Sequence, residues 1–415
     1  MSDILSQGGD RQPGRWPRRL AVIAVAVVLV IVVVRHFSSE QAAQAHRPGT
    51  ASTTRPLPQV SPGATAAVPP GSRHLAVEPG LPVEPDGIVG PSVPWDVRLR
   101  LPITGEQPVW YWPGTGRTEP IGGLPRSGSG YVFTRVGAGW AVQPGPAPAF
   151  GCGNCADLPQ PVYFLADSAH SVTNVGRAAQ VAPAAAAGAL WLTSFPVGAD
   201  LSTAAGTALE VSVTGVPLRL PVGLPAGYVI DRATDHGLLL ESLIQRGGAT
   251  IYKLWPLDGG QVSGAFSQVI AASASEIAWT SRCAPLCQVH VVDLATGRET
   301  VLRLPRGSSA ASGAFSPDGD FLALQVSFGS GGDGGGAAMQ LEAASVASGR
   351  LTVVPGTWCS SDALIGFGWP VGADSLVAEL SFTSKVQVAS WRPGAARLAV
   401  AVIGPRQNAT SLIVG

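Results

Sequence analysis

The chain is poor in charge. Only 13% of its 415 residues are Asp, Glu, Lys or Arg, and the formal net charge is zero. Such a balance leaves no electrostatic footprint for nucleic acid and excludes that class of partner. Lysine is nearly missing: Lys253 and Lys385 are the only two. Sustained helical periodicity is missing too. From residue 95 onward no stretch repeats its apolar residues in the helical pattern, which excludes a helical bundle. Several motifs are absent. There is no G-x-S-x-G elbow, no H-E-x-x-H and no phosphate-binding loop. The glycine run at 329–336 holds a single acidic residue and no helix signal follows it, so it reads as a loop and not as a phosphate or calcium cradle. What is abundant is Gly (52), Pro (36) and apolar residues (46%). Low charge with frequent turn formers suits an all-β domain.

One long apolar run exists, the 15 residues at 20–34. As a helix it spans about 22 Å, and the flanking Trp16, Arg18, Arg19, Arg35 and Phe37 extend it by snorkelling. Arginines precede it and charge thins out after it, which puts the N-terminus in the cytoplasm. The expected organisation is a basic tail at 1–19, a membrane anchor at 20–37, a disordered Pro/Ala/Ser/Thr-rich stalk at 38–94 and an extracytoplasmic domain at 95–415. The bilayer is then a partner through one helix. The competing reading is a cleaved signal, with Ala43-Gln44-Ala45 as the cleavage site.

Within 95–415 short apolar-alternating runs recur at about 40–50 residues, the mark of a propeller. One unit, at 268–305, holds four strands in succession. Further units lie at 131–178, 180–225, 228–266, 313–356 and 363–404. Residues 96–124 supply three strands more, and 411–415 would add the fourth and close the ring. The expected fold is an all-β propeller of seven four-stranded blades, with six or eight as alternatives.

The segment GAFSPDGDFLAL at 313–324 resembles the TolB-like, WD40-like family of bacterial propeller repeats, whose pattern is F-S-P-D-G-x-x-L/I-A. Arginine in place of lysine reads as GC-rich coding bias, giving the chain an actinobacterial look. The resemblance implies the fold and no particular activity. In it Pro317 fixes φ, while Asp318 and Gly319 turn a hairpin. A second turn, D-x-x-T-G-R, carries Asp293, Thr296 and Gly297, and echoes of it stand at 109–117, 251–260, 341–350 and 386–397.

There are five cysteines. In an exported domain disulfides are the default. Cys152 with Cys155, and Cys283 with Cys287, are the expected disulfide cysteines, each couple on a blade loop, with connectivity open and Cys359 left over. A zinc site and a redox C-x-x-C are the competing readings. No cofactor is implied.

Chemistry has few candidates. The histidines His170, His236 and His290 stand apart. Carboxylates from different blades would converge on the channel: Asp231, Glu241, Glu276, Asp362 and Glu379 are the candidates, and spacing singles out no pair. The expected function is a membrane-tethered, non-catalytic module that binds an envelope protein, peptide or polymer. The alternative is an exported propeller hydrolase or lyase with acidic residues at the channel mouth.

Overall fold

The computed structural model describes residues 87–88, 92–145, 158–244, 250–257, 265–280, 287–328, 338–360, 364–370, 374–382 and 384–405. The chain divides into two compact units. Met1–Ser61 lies wholly outside the described residues, and Pro62–Gly415 holds the domain described below. The anchor expected at 20–37 is likewise outside them. Among the described residues no helix is long and apolar enough to cross a membrane.

Every regular element is a strand. After β1 (Ser92–Pro94) the first blade holds β2 (Leu101–Ile103), β3 (Val109–Trp112) and β4 (Arg117–Pro120). The second holds β5 (Tyr131–Val136), β6 (Gly139–Pro144), β7 (Gln160–Ala166) and β8 (Thr173–Ala178). The third holds β9 (Gln180–Pro183), β10 (Ala189–Ser194), β11 (Thr207–Ser212) and β12 (Val222–Gly223). The fourth holds β13 (Tyr228–Thr234), β14 (Gly237–Ser242), β15 (Ile251–Trp255) and β16 (Ala265–Ser267). The fifth holds β17 (Val269–Ala272), β18 (Glu276–Thr280), β19 (Gln288–Asp293) and β20 (Glu299–Arg303). The sixth holds β21 (Ser308–Phe315), β22 (Phe321–Phe328), β23 (Ala338–Ser345) and β24 (Leu351–Val353), with β25 (Cys359–Ser360) also pairing β23. The seventh holds β26 (Leu364–Gly368), β27 (Leu376–Ser381), β28 (Lys385–Trp391) and β29 (Leu398–Pro405). The blade count is therefore seven.

Apolar clusters occupy every seam between neighbouring blades. Trp110, Trp140 and Leu165 join blades 1 and 2. Val162 and Leu190 join 2 and 3. Trp191, Ile230 and Leu240 join 3 and 4, and Leu239 with Ile277 joins 4 and 5. Val289, Leu302 and Leu322 join 5 and 6. Leu341, Leu376 and Trp391 join 6 and 7. Leu101, Tyr111, Val377 and Val388 join 7 back to 1. Strand alternation explains this pattern, because each blade sends successive side chains to opposite neighbours. The ring closes by packing, and closure protects the sheet edges.

Two details differ from expectation. Blade 1 shows three strands among the described residues, and the proposed closing strand at 411–415 lies outside them. Ser92–Pro94, read from sequence as part of the stalk, pairs in parallel with β29, Ser92 opposite Leu398. The outer edge of blade 7 offers unpaired backbone groups there, and the incoming chain satisfies them.

The recurrent turn has a common geometry. In blade 5 Asp293 Oδ1 accepts the N–H of Ala295 at 2.9 Å and of Thr296 at 3.0 Å, and the N–H of Gly297 donates to Asp293 O at 2.8 Å. The Gly116 and Gly349 N–H groups donate to Trp112 O and Ser345 O at the same 2.8 Å. All three glycines have φ of 67°, the left-handed region where a side chain is strained. The hairpin of Pro317, Asp318 and Gly319 joins β21 to β22. Ser316 Oγ donates to Asp318 Oδ1 at 2.6 Å and accepts from the Phe321 N–H at 2.9 Å.

Candidate functional site

The first strands of successive blades touch one another, β5 with β9, β9 with β13, β17 with β21 and β21 with β26. They line the axis of the ring. Four of them carry a bulge at a corresponding place, and the extra residues are Asp231, Ile270, Ala311 and Ile365. A bulge bends the strand and re-aims its side chains. Asp231 is the only charged residue among the four.

Asp231 and its neighbour Arg232 lie together, with Arg232 Nε 3.9 Å from Asp231 Oδ2. The Arg232 guanidinium also donates to Ala272 O on β17, bridging blades 4 and 5. Both side chains keep about a third of their surface open, 35% for Asp231 and 37% for Arg232. Yet burial is the largest influence on both, pushing the Asp231 carboxyl up and the Arg232 guanidinium down. The two facts coexist for side chains on a channel wall, where water reaches the group and protein fills most directions around it.

Glu241 stands on β14, opposite Val229 on β13 and Tyr252 on β15. Burial first, then the charge of Asp231, pushes its carboxyl above the usual range. The Tyr252 phenol is pushed well above the ordinary tyrosine range by burial, then by Glu241 and then by Asp231. The charge of Asp231 thus reaches both Glu241 and Tyr252, which places the three in one electrostatic group beside Arg232. Arg232 acts in the opposite sense on Asp231, favouring its ionised form.

The other candidate carboxylates do not join them. Glu276 begins β18 and feels Asp293 and Asp320, and its Oε2 lies 3.1 Å from where a Cβ on Gly319 would stand. It belongs to the blade 5–6 turns. Glu379, on β27 opposite Gly366 and Val388, is fully buried. Asp362 lies outside the described residues. Sequence reasoning passed over Tyr252, Arg232 and Glu342. Arg232 adjoins a candidate, but nothing in the sequence marks the bulge.

The histidines have settled surroundings. His290 stacks on Trp279, ring centroids 5.1 Å apart, with Nδ1 bonded to Glu299. His170 bonds Glu119. His236 is exposed beside Asp235 in the turn between β13 and β14. Cys287 is disulfide-bonded, so its sulfur is not a thiolate ligand for zinc. Cys152, Cys155 and Cys283 lie outside the described residues. Among the described residues no cluster of three or more His, Cys, Asp or Glu is arranged to hold a metal.

Fold and site together define a seven-bladed β-propeller with an acidic group on its channel wall. No family model matches the chain, and no curated protein matches it by sequence. Solved structures do. TolB from Acinetobacter baumannii matches at TM-score 0.35 and 13% identity, over 64% of this chain and 67% of that one. Puromycin hydrolase matches at 0.45 and 14%, over 74% of this chain and 51% of that one. The acylaminoacyl peptidase of Pyrococcus horikoshii matches at 0.47 and 10%, over 75% and 54%. The chain spans about half the length of the latter two structures. At such identities the likeness concerns the fold.

The expectation of a non-catalytic binding module is corrected here. The similar structures include a puromycin hydrolase, prolyl endopeptidases and an acylaminoacyl peptidase as well as TolB. Asp231 on the first strand of blade 4 and Glu241 on the second, moreover, form the acidic group that the enzyme alternative expects. Sequence spacing had no means of showing that group, because strand pairing sets Glu241 beside Tyr252 and a bulge re-aims Asp231 toward them.

Proposed function

We propose that the chain is a propeller hydrolase or lyase whose acid–base centre is Asp231 and Glu241. The observation that carries this reading is the closeness of Asp231, on a bulge of the first strand of blade 4, to Glu241 on the second strand, both carboxyls held above their usual range. Environments that separate two carboxyls assign their roles. Arg232 favours ionised Asp231, which makes Asp231 the base. The Asp231 charge then disfavours ionised Glu241, which makes Glu241 the acid. Tyr252, kept neutral chiefly by burial, donates a hydrogen bond to a substrate oxygen. Carboxyl pairs of this kind serve bond cleavage with water or by elimination.

In this reading the enzyme works outside the cytoplasmic membrane. The apolar run at 20–34 anchors it and the stalk up to residue 94 carries it toward an envelope polymer substrate. Its resemblance to the TolB-like family bears on the fold alone.

Purified full-length protein in detergent is incubated with isolated envelope polymer, and new reducing ends, new amines and new unsaturation are measured. Wild type releases one of these products, and Asp231→Asn loses about a hundredfold or more of the rate. Equal rates for the two proteins would refute the assignment.

A further inference from the structure

A second concave surface lies at the seam of blades 7, 1 and 2, away from the fourth blade. It is a cleft of about 640 Å³. One wall is the extended chain between β1 and β2. Its alternation is regular: Trp95 and Leu99 pack on the core between blades 7 and 1, while Asp96 and Arg98 are exposed. The facing wall comes from Trp112 and Gly114 of blade 1 and from Arg135 and Trp140 of blade 2. Gly114 allows a close wall, since a Cβ there would stand 3.1 Å from the Trp95 ring.

The guanidinium of Arg100 is fixed in place. It lies 4.2 Å from the centre of the Trp110 ring and 5.7 Å from that of Trp112. Its Nε donates to Asp167 O and its Nη2 to Ala169 O, both at 2.7 Å. The Asp167 carboxylate is already taken, because Arg135 grips it with two bonds of 2.8 and 2.7 Å. Arg100 therefore keeps Nη1 for a ligand, and burial of its charge makes an added anion favourable. Arg98, two residues earlier on the same side of an extended chain, stands about 7 Å away along the backbone. Among the described residues it has no hydrogen-bond or ion-pair partner.

A second observation points to a missing acceptor. Arg135 Nε and Trp140 Nε1 are buried with no hydrogen-bond partner among the described residues, and Trp140 is only 2% exposed. Buried donors left unpaired are costly and rare. Both belong to residues of this cleft. Among the lining residues three arginines face two aspartates, while the charges of Glu119 and Asp167 act on Arg100.

We propose that the cleft binds a monocarboxylate carried on a flat apolar body. Arg98 and Arg100 take the carboxylate, and the parts of the half-buried Trp95 and Trp112 rings left open to the cleft, beside Arg117 at 4.8 Å from the Trp112 ring centre, take the body. Oxygen atoms of the same ligand, or a water it orders, supply the acceptor that Arg135 and Trp140 lack. A dianion is less suited, because Asp96 stands beside the two free guanidinium positions.

The flat apolar body calls for an aromatic chain end, and a sugar acid serves as the contrast. Full-length protein in detergent is titrated with N-acetylphenylalanine, its amide and glucuronate, read by tryptophan fluorescence and calorimetry. N-acetylphenylalanine binds, and both its amide and glucuronate bind about tenfold more weakly or worse. Arg98→Ala weakens N-acetylphenylalanine about tenfold with no loss of thermal stability, since Arg98 is exposed. Arg100→Ala weakens it further. Absence of N-acetylphenylalanine binding, equal binding of acid and amide, glucuronate binding as tight as that of N-acetylphenylalanine, or an Arg98→Ala protein that binds as wild type does would each overturn the proposal.

Discussion

Glu342 gives the sharpest test of the folded core. It stands on β23, opposite Leu324 and Val353, and is 3% exposed. Its face of the strand also presents Ala344, which packs with Leu324 against blade 5. Burial alone pushes its carboxyl from 4.5 up to about 7. The native state therefore holds a proton that the unfolded chain releases at lower pH. The sign follows from linkage. Below pH 4.5 both states are protonated and the group contributes no penalty. As pH rises from there through about 7, the unfolded chain gains ionisation that the native state resists, and stability falls. The full shift corresponds to roughly 3 kcal/mol, a large share of a marginal total. Glu342→Gln removes the titration while keeping size and hydrogen-bonding capacity. Chemical denaturation of both proteins at about pH 4 and about pH 8.5 isolates the effect. The stability of the variant relative to wild type should improve by roughly 3 kcal/mol between those conditions. A change below about 0.5 kcal/mol would mean that the carboxyl is solvated or paired, and would refute the burial argument.

Other outcomes follow from single residues. Leu240, fully buried between blades 3 and 4, should cost about 2–5 kcal/mol as Leu240→Ala in denaturant melts. Gly319→Ala places a side chain at φ of 76° and 3.1 Å from Glu276 Oε2, and should cost about 1–2 kcal/mol by the same assay. Asp318 is held below its usual range by the Ser316 hydroxyl and then the Asp320 N–H. Its contribution is present above the normal aspartate range and is lost as pH falls through the depressed value, so Asp318→Asn should flatten the acid side of the melting curve. Arg232→Met withdraws the cation beside Asp231, and should move the acid limb of the rate profile to higher pH.

Much of the ring was legible in the sequence because its signals are local. Gly116, Gly297 and Gly349 are required by a positive φ, so the turn repeats as Thr-Gly-Arg or Ser-Gly-Arg wherever a blade uses it. Strand alternation repeats because every blade buries both faces. Pro317, Asp318 and Gly319 are legible for the same reason. The site was less so. Asp231 and Glu241 could be nominated as carboxylates, but they lie on different strands and are joined by pairing. The bulge that sets Asp231 on the channel is a one-residue shift against Leu240 and Leu239, and apolar Ile270 and Ala311 occupy the same kind of bulge. No residue type announces it. The Arg100 cleft was hidden by similar means, since the hydrogen bonds that fix Arg100 reach from blade 1 to Asp167 O and Ala169 O after the third strand of blade 2. The strand pairing of Ser92–Pro94 was missed because proline-rich composition outweighed three residues of pattern.

The acid–base assignment of Asp231 and Glu241 is the central claim, and the pH dependence of polymer cleavage tests it most directly. Rates of product release are measured across pH for full-length wild type and Glu241→Gln. The assignment expects a bell in wild type, its acid limb set by ionisation of Asp231 and its alkaline limb by loss of the Glu241 proton. In Glu241→Gln the maximum should collapse and the alkaline limb should vanish. An unchanged bell in that variant, or no cleavage product from the wild type at any pH, would contradict the account.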